Sequence, residues 1–158
     1  MAVWAPEFGT LTRLTSLWEC KRTDLPIQAG LEADSDWLSA TRSSHVLVPR
    51  RPVRVALLGA PVIEMRTYAT HDGQVETFVN ALLQALPNRE TYSLNAGVWT
   101  TRERDVDLVY HLWTYESLAQ REAVREAVTS DDGWMAYRAS IRPMLRAMKA
   151  VLFTPVKL

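Results

Sequence analysis

Between Val62 and Tyr68, apolar Ile63 and Met65 alternate with Glu64, Arg66 and Tyr68, the two-residue period of a strand. His71-Asp72-Gly73 then supplies a turn. After it, Val75, Phe78, Val79, Leu82, Leu83 and Leu86 recur at three- and four-residue steps, which predicts an amphipathic helix running until Pro87. Residues 96–101 and 106–115 are rich in β-branched and aromatic side chains and read as two strands, with Arg102-Glu103-Arg104-Asp105 as the hairpin tip. Ser117 followed by Gln120 has the form of a capping box and opens a helix through Val128. A second helical segment is predicted from about Asp132 to Lys149, kinked or restarted at Pro143, and residues 151–156 close the series as a short strand.

The order strand, helix, strand, strand, helix, strand is the split β-α-β arrangement of ferredoxin-like α+β domains. Four antiparallel strands with helices on one face leave the other face in need of cover, and a second sheet packed on it makes a barrel. The chain carries part of such a second unit. Val3-Trp4 and Leu17-Trp18 recur as Val98-Trp99 and Leu112-Trp113 with the same tryptophan spacing, and Leu11 and Leu14 match Val106 and Val109. Further on, residues 34–38 align with 131–135 around Trp37 and Trp134, and 46–49 align with 152–155. A period near a hundred residues suits a duplicated small domain, not a solenoid. The expected organisation is a partial repeat over residues 1–49 (strands two to four), a linker over 50–61 and a complete repeat over 62–158, forming a dimeric or pseudo-dimeric α/β barrel of antiparallel sheets.

Several short motifs, in order, are similar to the NIPSNAP family: Glu64-Met65-Arg66-Thr67-Tyr68, the helix start at Gly73, His111-Leu112-Trp113 with Tyr115 and Ser117-Leu118-Ala119, and Asp131-Asp132-Gly133-Trp134 with Arg142-Pro143 downstream. The N-terminal run from Glu7 to Arg13, with Leu17-Trp18-Glu19, resembles the same family's hairpin of strands two and three. The resemblance implies a dimeric α/β-barrel fold, whose wider superfamily includes monooxygenases light in cofactors, isomerases and haem-binding proteins. It implies no single reaction. One departure matters: the first copy begins at strand two, and its last helix is shorter. Three readings account for it: a chain start placed too late, a cut chain, or an incomplete barrel closed by strand exchange with another chain.

Composition narrows the function classes. The chain has 158 residues, 47% of them hydrophobic and 23% charged, enough for a sizeable core. Eighteen basic residues balance eighteen acidic ones, so no net field draws it to nucleic acid or an anionic membrane. Arg50-Arg51-Pro52-Val53-Arg54 reads as a solvated linker, not a nucleic-acid patch. Cys20 is the one cysteine, which fits a reducing compartment, and with no signal-like start or long apolar run the expected location is cytoplasmic. No metal-ligand spacing, phosphate-binding loop, dinucleotide fingerprint or nucleophile elbow is present, so no metal and no cofactor are expected.

If helices cover the face carrying Ile63 and Met65, then Glu64, Arg66 and Tyr68 point into the barrel, joined from strand three by Val109, His111, Trp113 and Tyr115. The candidate catalytic residues are His111, Glu64 and Arg66; the candidate substrate-binding residues are Tyr68, Trp99, Trp113, Tyr115 and Trp18. Such a pocket suits a small acidic or aromatic metabolite and offers His111 or Glu64 as a base, as in cofactor-independent oxidation, isomerisation or decarboxylation. The competing reading makes Glu64 and Arg66 a mutually neutralising pair, His111 a satisfied interior residue and the tryptophans core anchors. The chain is then a non-catalytic oligomerisation or interaction module. The expected partners are a small-molecule ligand and a second copy in a homodimer, with neither nucleic acid nor membrane.

Overall fold

The computed structural model describes residues 2–6, 15–17 and 45–156. Among these described residues seven strands, β1 (Ala2–Pro6), β2 (Thr15–Leu17), β3 (Val48–Pro49), β4 (Val62–Thr70), β5 (Asn95–Glu103), β6 (Val106–Tyr115) and β7 (Leu145–Pro155), form one sheet in the order β2-β1-β7-β4-β6-β5-β3. Three α-helices, α1 (Val75–Arg89), α2 (Leu118–Ala127) and α3 (Asp132–Ile141), lie on one face. The central order β7-β4-β6-β5, with every pairing antiparallel, is the ferredoxin-like arrangement expected from the element series.

Local chemistry explains most of the element ends. Gly73 takes φ +74 at the turn before α1, a conformation glycine adopts without penalty. Ser117 Oγ accepts from Gln120 N at 3.1 Å while Gln120 Oε1 accepts from Glu116 N at 2.7 Å, a capping box shifted by one residue. Asp131 caps α3 by accepting from Trp134 N at 2.7 Å, and the same carboxylate takes Asn88 Nδ2 at 2.8 Å and Tyr92 Oη at 3.0 Å, which ties α3 to the end of α1.

Two predicted boundaries move. Helix α1 runs through Pro87 to Arg89, because a proline removes one amide bond and the last turn is held instead by Glu90 N to Leu86 O at 2.7 Å. The second helical segment does not reach Lys149: α3 stops at Ile141, Pro143 sits in a 3-10 turn over Arg142–Met144, and residues from Leu145 already belong to β7. Eleven residues of β7 must span the full length of β4, with which it pairs from Leu145 to Phe153. That demand overrides helix propensity in Arg146-Ala147-Met148-Lys149.

The predicted faces are reversed. Val62, Tyr68, Val98, Val109, Trp113 and Tyr115 pack under the helices against Phe78, Val79, Leu82, Leu86, Val124, Trp134 and Ile141. Ile63, Met65, Ala96, Trp99, Leu112, Val151 and Phe153 form a second cluster on the opposite face. Leu17 from one end of the sheet and Leu47 beside the other end both pack against that second cluster, so the sheet curls around it. The concave interior is therefore apolar, and the polar residues lie outside it, beneath the helices.

Residues 50–61 are not a solvated linker. Arg50 N donates to Val98 O at 2.8 Å and Arg54 N to Ala96 O at 2.9 Å, so this segment continues alongside β5. Val53, Leu57 and Leu58 cover the inner cluster. Arg51 and Arg54 both bind Glu90, at 3.0 and 3.1 Å, and Arg50 binds Glu76 at 2.7 Å. No helix among the described residues is long and apolar enough to cross a membrane.

Candidate functional site between sheet and helices

The register of β4 against β6 places Glu64 beside Trp113, Arg66 beside His111 and Tyr68 beside Val109, all on the helix-covered face. Two-residue alternation makes this one polar stripe at the centre of the sheet. Glu64 is fully buried. Its Oε1 accepts from Arg66 Nε at 2.6 Å and its Oε2 from Arg121 Nε, on α2, also at 2.6 Å. Burial pushes the Glu64 pKa up, but the two guanidinium groups outweigh it and hold the carboxyl below its ordinary value. Glu64 is thus a saturated carboxylate between two cations, a poor general base. Arg121 continues to Glu122 at the helix surface.

Arg66 also faces the phenol of Tyr68; burial lowers its pKa, and Tyr68 with Glu64 more than restores it, so it stays charged. Tyr68 Oη and His111 Nε2 lie 3.2 Å apart, and the two rings stack with centroids 5.3 Å apart at 12°. Burial, reinforced by Arg66 and Arg89, drives the His111 pKa well below its ordinary value, so the imidazole is neutral at pH 7. With a cation facing the phenol oxygen, the Tyr68 proton is directed to Nε2, which leaves the ring hydrogen on Nδ1. His111 Nδ1 is buried and has no hydrogen-bond partner among the described residues. The Tyr137 hydroxyl, on α3, is in the same condition. Burial and the neighbouring Tyr68 raise the Tyr137 pKa, which keeps it a neutral donor.

A second cation borders this group. Arg89, at the end of α1, is 4% exposed, and its Nη1 donates to Ser93 Oγ at 2.9 Å. Its guanidinium carbon stands 4.4 Å from the Trp113 ring centre and 5.5 Å from that of Trp134, two indoles that meet edge to face at 6.0 Å. Burial holds the Arg89 pKa below its ordinary value, with Tyr115 offsetting only part of the shift, and no carboxylate of the described residues pairs with it.

Of the predicted site residues, Glu64, Arg66, Tyr68, His111, Trp113 and Tyr115 come together, though beneath the helices and not in the concave interior. Trp99 is on the other face; its indole crosses Gly97, where a Cβ would come within 2.4 Å of the ring. Trp18 lies outside the described residues. Arg89, Arg121, Trp134 and Tyr137 were absent from the predicted set, because a helix assigned to the apolar face gives no reason to look at its polar side chains. The one available signal was charge: a buried carboxylate with a single arginine on its own strand calls for further donors.

The family model described as NIPSNAP matches residues 63–158. Protein NipSnap homolog 1 of Danio rerio is 26% identical over 98 residues, covering 62% of this chain and 35% of that protein. Protein NipSnap of Drosophila melanogaster is 24% identical over 172 aligned positions, covering 99% of this chain and 63% of that protein. The chain thus spans about a third of the zebrafish protein and less than two thirds of the fly protein. Among solved structures, an uncharacterized NIPSNAP domain protein from Burkholderia xenovorans superposes with a TM-score of 0.57 at 28% identity, over 61% of this chain and 96% of that one. With the ferredoxin-like core and the family model coinciding over the same residues, the chain belongs to the NIPSNAP family.

Proposed function

We propose that this protein binds a small organic acid, aromatic in part, between β4, β6 and the helices, and that His111, Tyr137 and Arg89 supply the donors that recognise it. The observation that carries this reading is the pair of buried donors without partners, His111 Nδ1 and Tyr137 Oη, on a face that also buries Arg89 without a carboxylate. An unpaired buried donor costs roughly 1–3 kcal/mol, which a ligand oxygen accepting from it recovers. Trp113, Trp134 and Tyr137 offer ring faces and edges to an aromatic body.

The chemistry such a site supports follows from its proton inventory. Glu64 is occupied by Arg66 and Arg121 and holds those cations in place. The Tyr68–His111 pair is the mobile element: a neutral imidazole accepting from a phenol can pass a proton while both stay shielded from water. Proton transfer next to a bound carboxylate or enolate, as in isomerisation or decarboxylation, needs no more than this pair and a nearby cation. A homodimer remains the expected assembly for this reading.

Isothermal titration with benzoate, against benzamide as the neutral control, tests it. The expected result is benzoate binding that weakens at least tenfold in Arg89→Leu and in His111→Phe, with benzamide inert. Equal binding of acid and amide, or of neither across a panel of aryl and alkyl carboxylates, would overturn it.

A further inference from the structure

A third buried donor without a partner stands apart from the two that carry the ligand site. Asn95, the first residue of β5, is fully buried, and its Nδ2 meets no acceptor among the described residues. Its other polar groups are held. The backbone N donates to Glu90 Oε1 at 3.2 Å, and Oδ1 accepts from Arg51 Nη1 at 3.4 Å. Arg51 also binds Glu90 Oε1 at 3.0 Å and Arg54 binds Glu90 Oε2 at 3.1 Å, so the carboxamide is fixed from a charged rim. A guanidinium accepts no hydrogen bond, and turning the amide over would set donor against donor at Arg51. The unpaired atom is therefore the N–H group.

Strand geometry sets the face on which that donor lies. Asn95 pairs with Trp113 across β5 and β6, and directly paired residues of an antiparallel ladder share a face. Trp113 packs under the helices while Ala96 belongs to the inner cluster, so the bulge between Asn95 and Gly97 leaves Asn95 on the helix-covered side. His111 follows on the same face, its ring meeting the Trp113 indole edge to face at 5.4 Å, and diagonal neighbours of this kind stand about 7–8 Å apart. Arg89, 4.4 Å from the Trp113 ring centre, is anchored on Ser93, two residues before Asn95. Asn95, Trp113 and His111 thus form one row, with an unpaired donor at each end. All three unpaired buried side-chain atoms among the described residues, Asn95 Nδ2, His111 Nδ1 and Tyr137 Oη, carry hydrogens. What this face lacks is acceptors.

We infer that the ligand is two-headed: an aryl acid whose carboxylate meets His111, Tyr137 and Arg89, and whose far end carries a carbonyl oxygen that accepts from Asn95 Nδ2. This rests on the carboxylate site proposed above. The surroundings of Asn95 make the second head neutral. Glu90 presents Oε1 to the backbone N–H of Asn95 and already engages both rim arginines, so a second carboxylate would meet a like charge with no free cation to offset it. A hydroxyl would bring one more donor to a face short of acceptors. A carbonyl brings lone pairs without charge, and Arg51 at Oδ1 polarises the carboxamide toward giving its N–H. A para-disubstituted ring spans the row with its body along Trp113. Asn95 is then the residue that separates a keto-aryl acid from a plain one.

Isothermal titration of the full chain with benzoate, para-acetylbenzoate and para-isopropenylbenzoate tests the inference, the last having the shape of the ketone with a methylene in place of its oxygen. The ketone is expected to bind at least tenfold more tightly than the methylene compound, because a site built around a hydrogen bond rejects the analogue that leaves it unmade. In Asn95→Asp, which keeps Oδ1 for Arg51 and removes the donor, and in Asn95→Leu, which removes both, that ratio is expected to fall below twofold. Equal binding of ketone and methylene compound by the parent, with benzoate also bound, would overturn this inference and leave the carboxylate site standing. A ratio that survives both variants would overturn it too, by placing the donor elsewhere. Terephthalate binding as tightly as para-acetylbenzoate would overturn the neutral head. Binding of none of these acids would overturn the carboxylate site, and this inference with it.

Discussion

The two faces of the central sheet are built from the same strands, residue by residue in alternation, yet they solve opposite problems. The inner face, with Ile63, Leu112, Trp99 and Phe153, is an apolar cluster around which the sheet curls and which residues 53–60 help to cover. The helix-covered face buries a carboxylate, the Arg89 guanidinium, an imidazole and several phenols, and half-buries the guanidinium groups of Arg66 and Arg121. An apolar face gains from any neighbour that excludes water, so the sheet can cover it with itself. A charged face gains only from partners at set positions, and helix α2 delivers one to Glu64 as Arg121.

Removing Glu64 breaks the comparison most sharply. Glu64→Gln leaves Arg66 and Arg121 facing each other around a neutral amide, and breaking one partner of a buried pair costs roughly 3–5 kcal/mol. Urea denaturation is expected to show that loss. Replacing all three residues together, as Glu64→Leu, Arg66→Met and Arg121→Met, is expected to restore most of the stability, since an apolar substitute for a buried ion group is often neutral or better. A triple variant as unstable as Glu64→Gln would mean the helix-covered face depends on its charges for more than mutual neutralisation.

On the inner face the expected loss is set by volume alone. Ile63 is fully buried, and Ile63→Ala should cost about 2–4 kcal/mol by the usual large-to-small range. That loss should be the same at pH 5 and pH 7, because no titrating group belongs to the inner cluster apart from the half-buried Tyr110. A pH-dependent penalty would show that the two faces are coupled through β4.

How much of this was legible beforehand follows from the same contrast. Alternation in Val62–Tyr68 and in 106–115 separated the two sets of side chains correctly, because the period of a strand is a property of the backbone. It did not say which set the helices cover, since both faces are buried and the apolar set looks like the natural seat for a helix. Glu64, Arg66, Tyr68, His111, Trp113 and Tyr115 were therefore grouped correctly but assigned to the wrong side. Arg89 was missed because Pro87 reads as a stop, and α1 continues past it. Arg146 to Lys149 read as helix because their propensities are helical; only pairing with β4 makes them strand, and that contact lies some eighty residues away in sequence.

His111 separates the faces by pH. Its folded pKa is depressed, first by burial and then by Arg66 and Arg89, while an unfolded histidine titrates near 6.5. Above that pH both states are neutral and nothing is lost. As pH falls below about 6.5 the unfolded chain binds a proton that the folded chain refuses, so stability declines by up to about 1.4 kcal/mol per pH unit until the folded value is reached. Chemical denaturation between pH 7 and 5.5 is expected to show this slope in the parent and in Ile63→Ala, and to lose it in His111→Phe. A slope that survives His111→Phe would place its source elsewhere.

The smallest expected effect belongs to neither face and serves as the control for both. The hairpin between β5 and β6 turns through Arg104 and Asp105, both with left-handed backbones at φ 46 and φ 65. A two-residue turn with two positive φ values matches the twist of the strands, but it favours Asn-Gly over Arg-Asp. Asp105 is almost fully exposed and its contact with Arg102 is 3.8 Å, so little is lost by replacing it. Arg104→Asn with Asp105→Gly should therefore raise stability by about 1 kcal/mol through relief of the left-handed strain. Because the turn touches neither cluster, the gain should be additive with Ile63→Ala and with Glu64→Gln alike. Additivity with one and not the other would show that the register of the hairpin reports on that face.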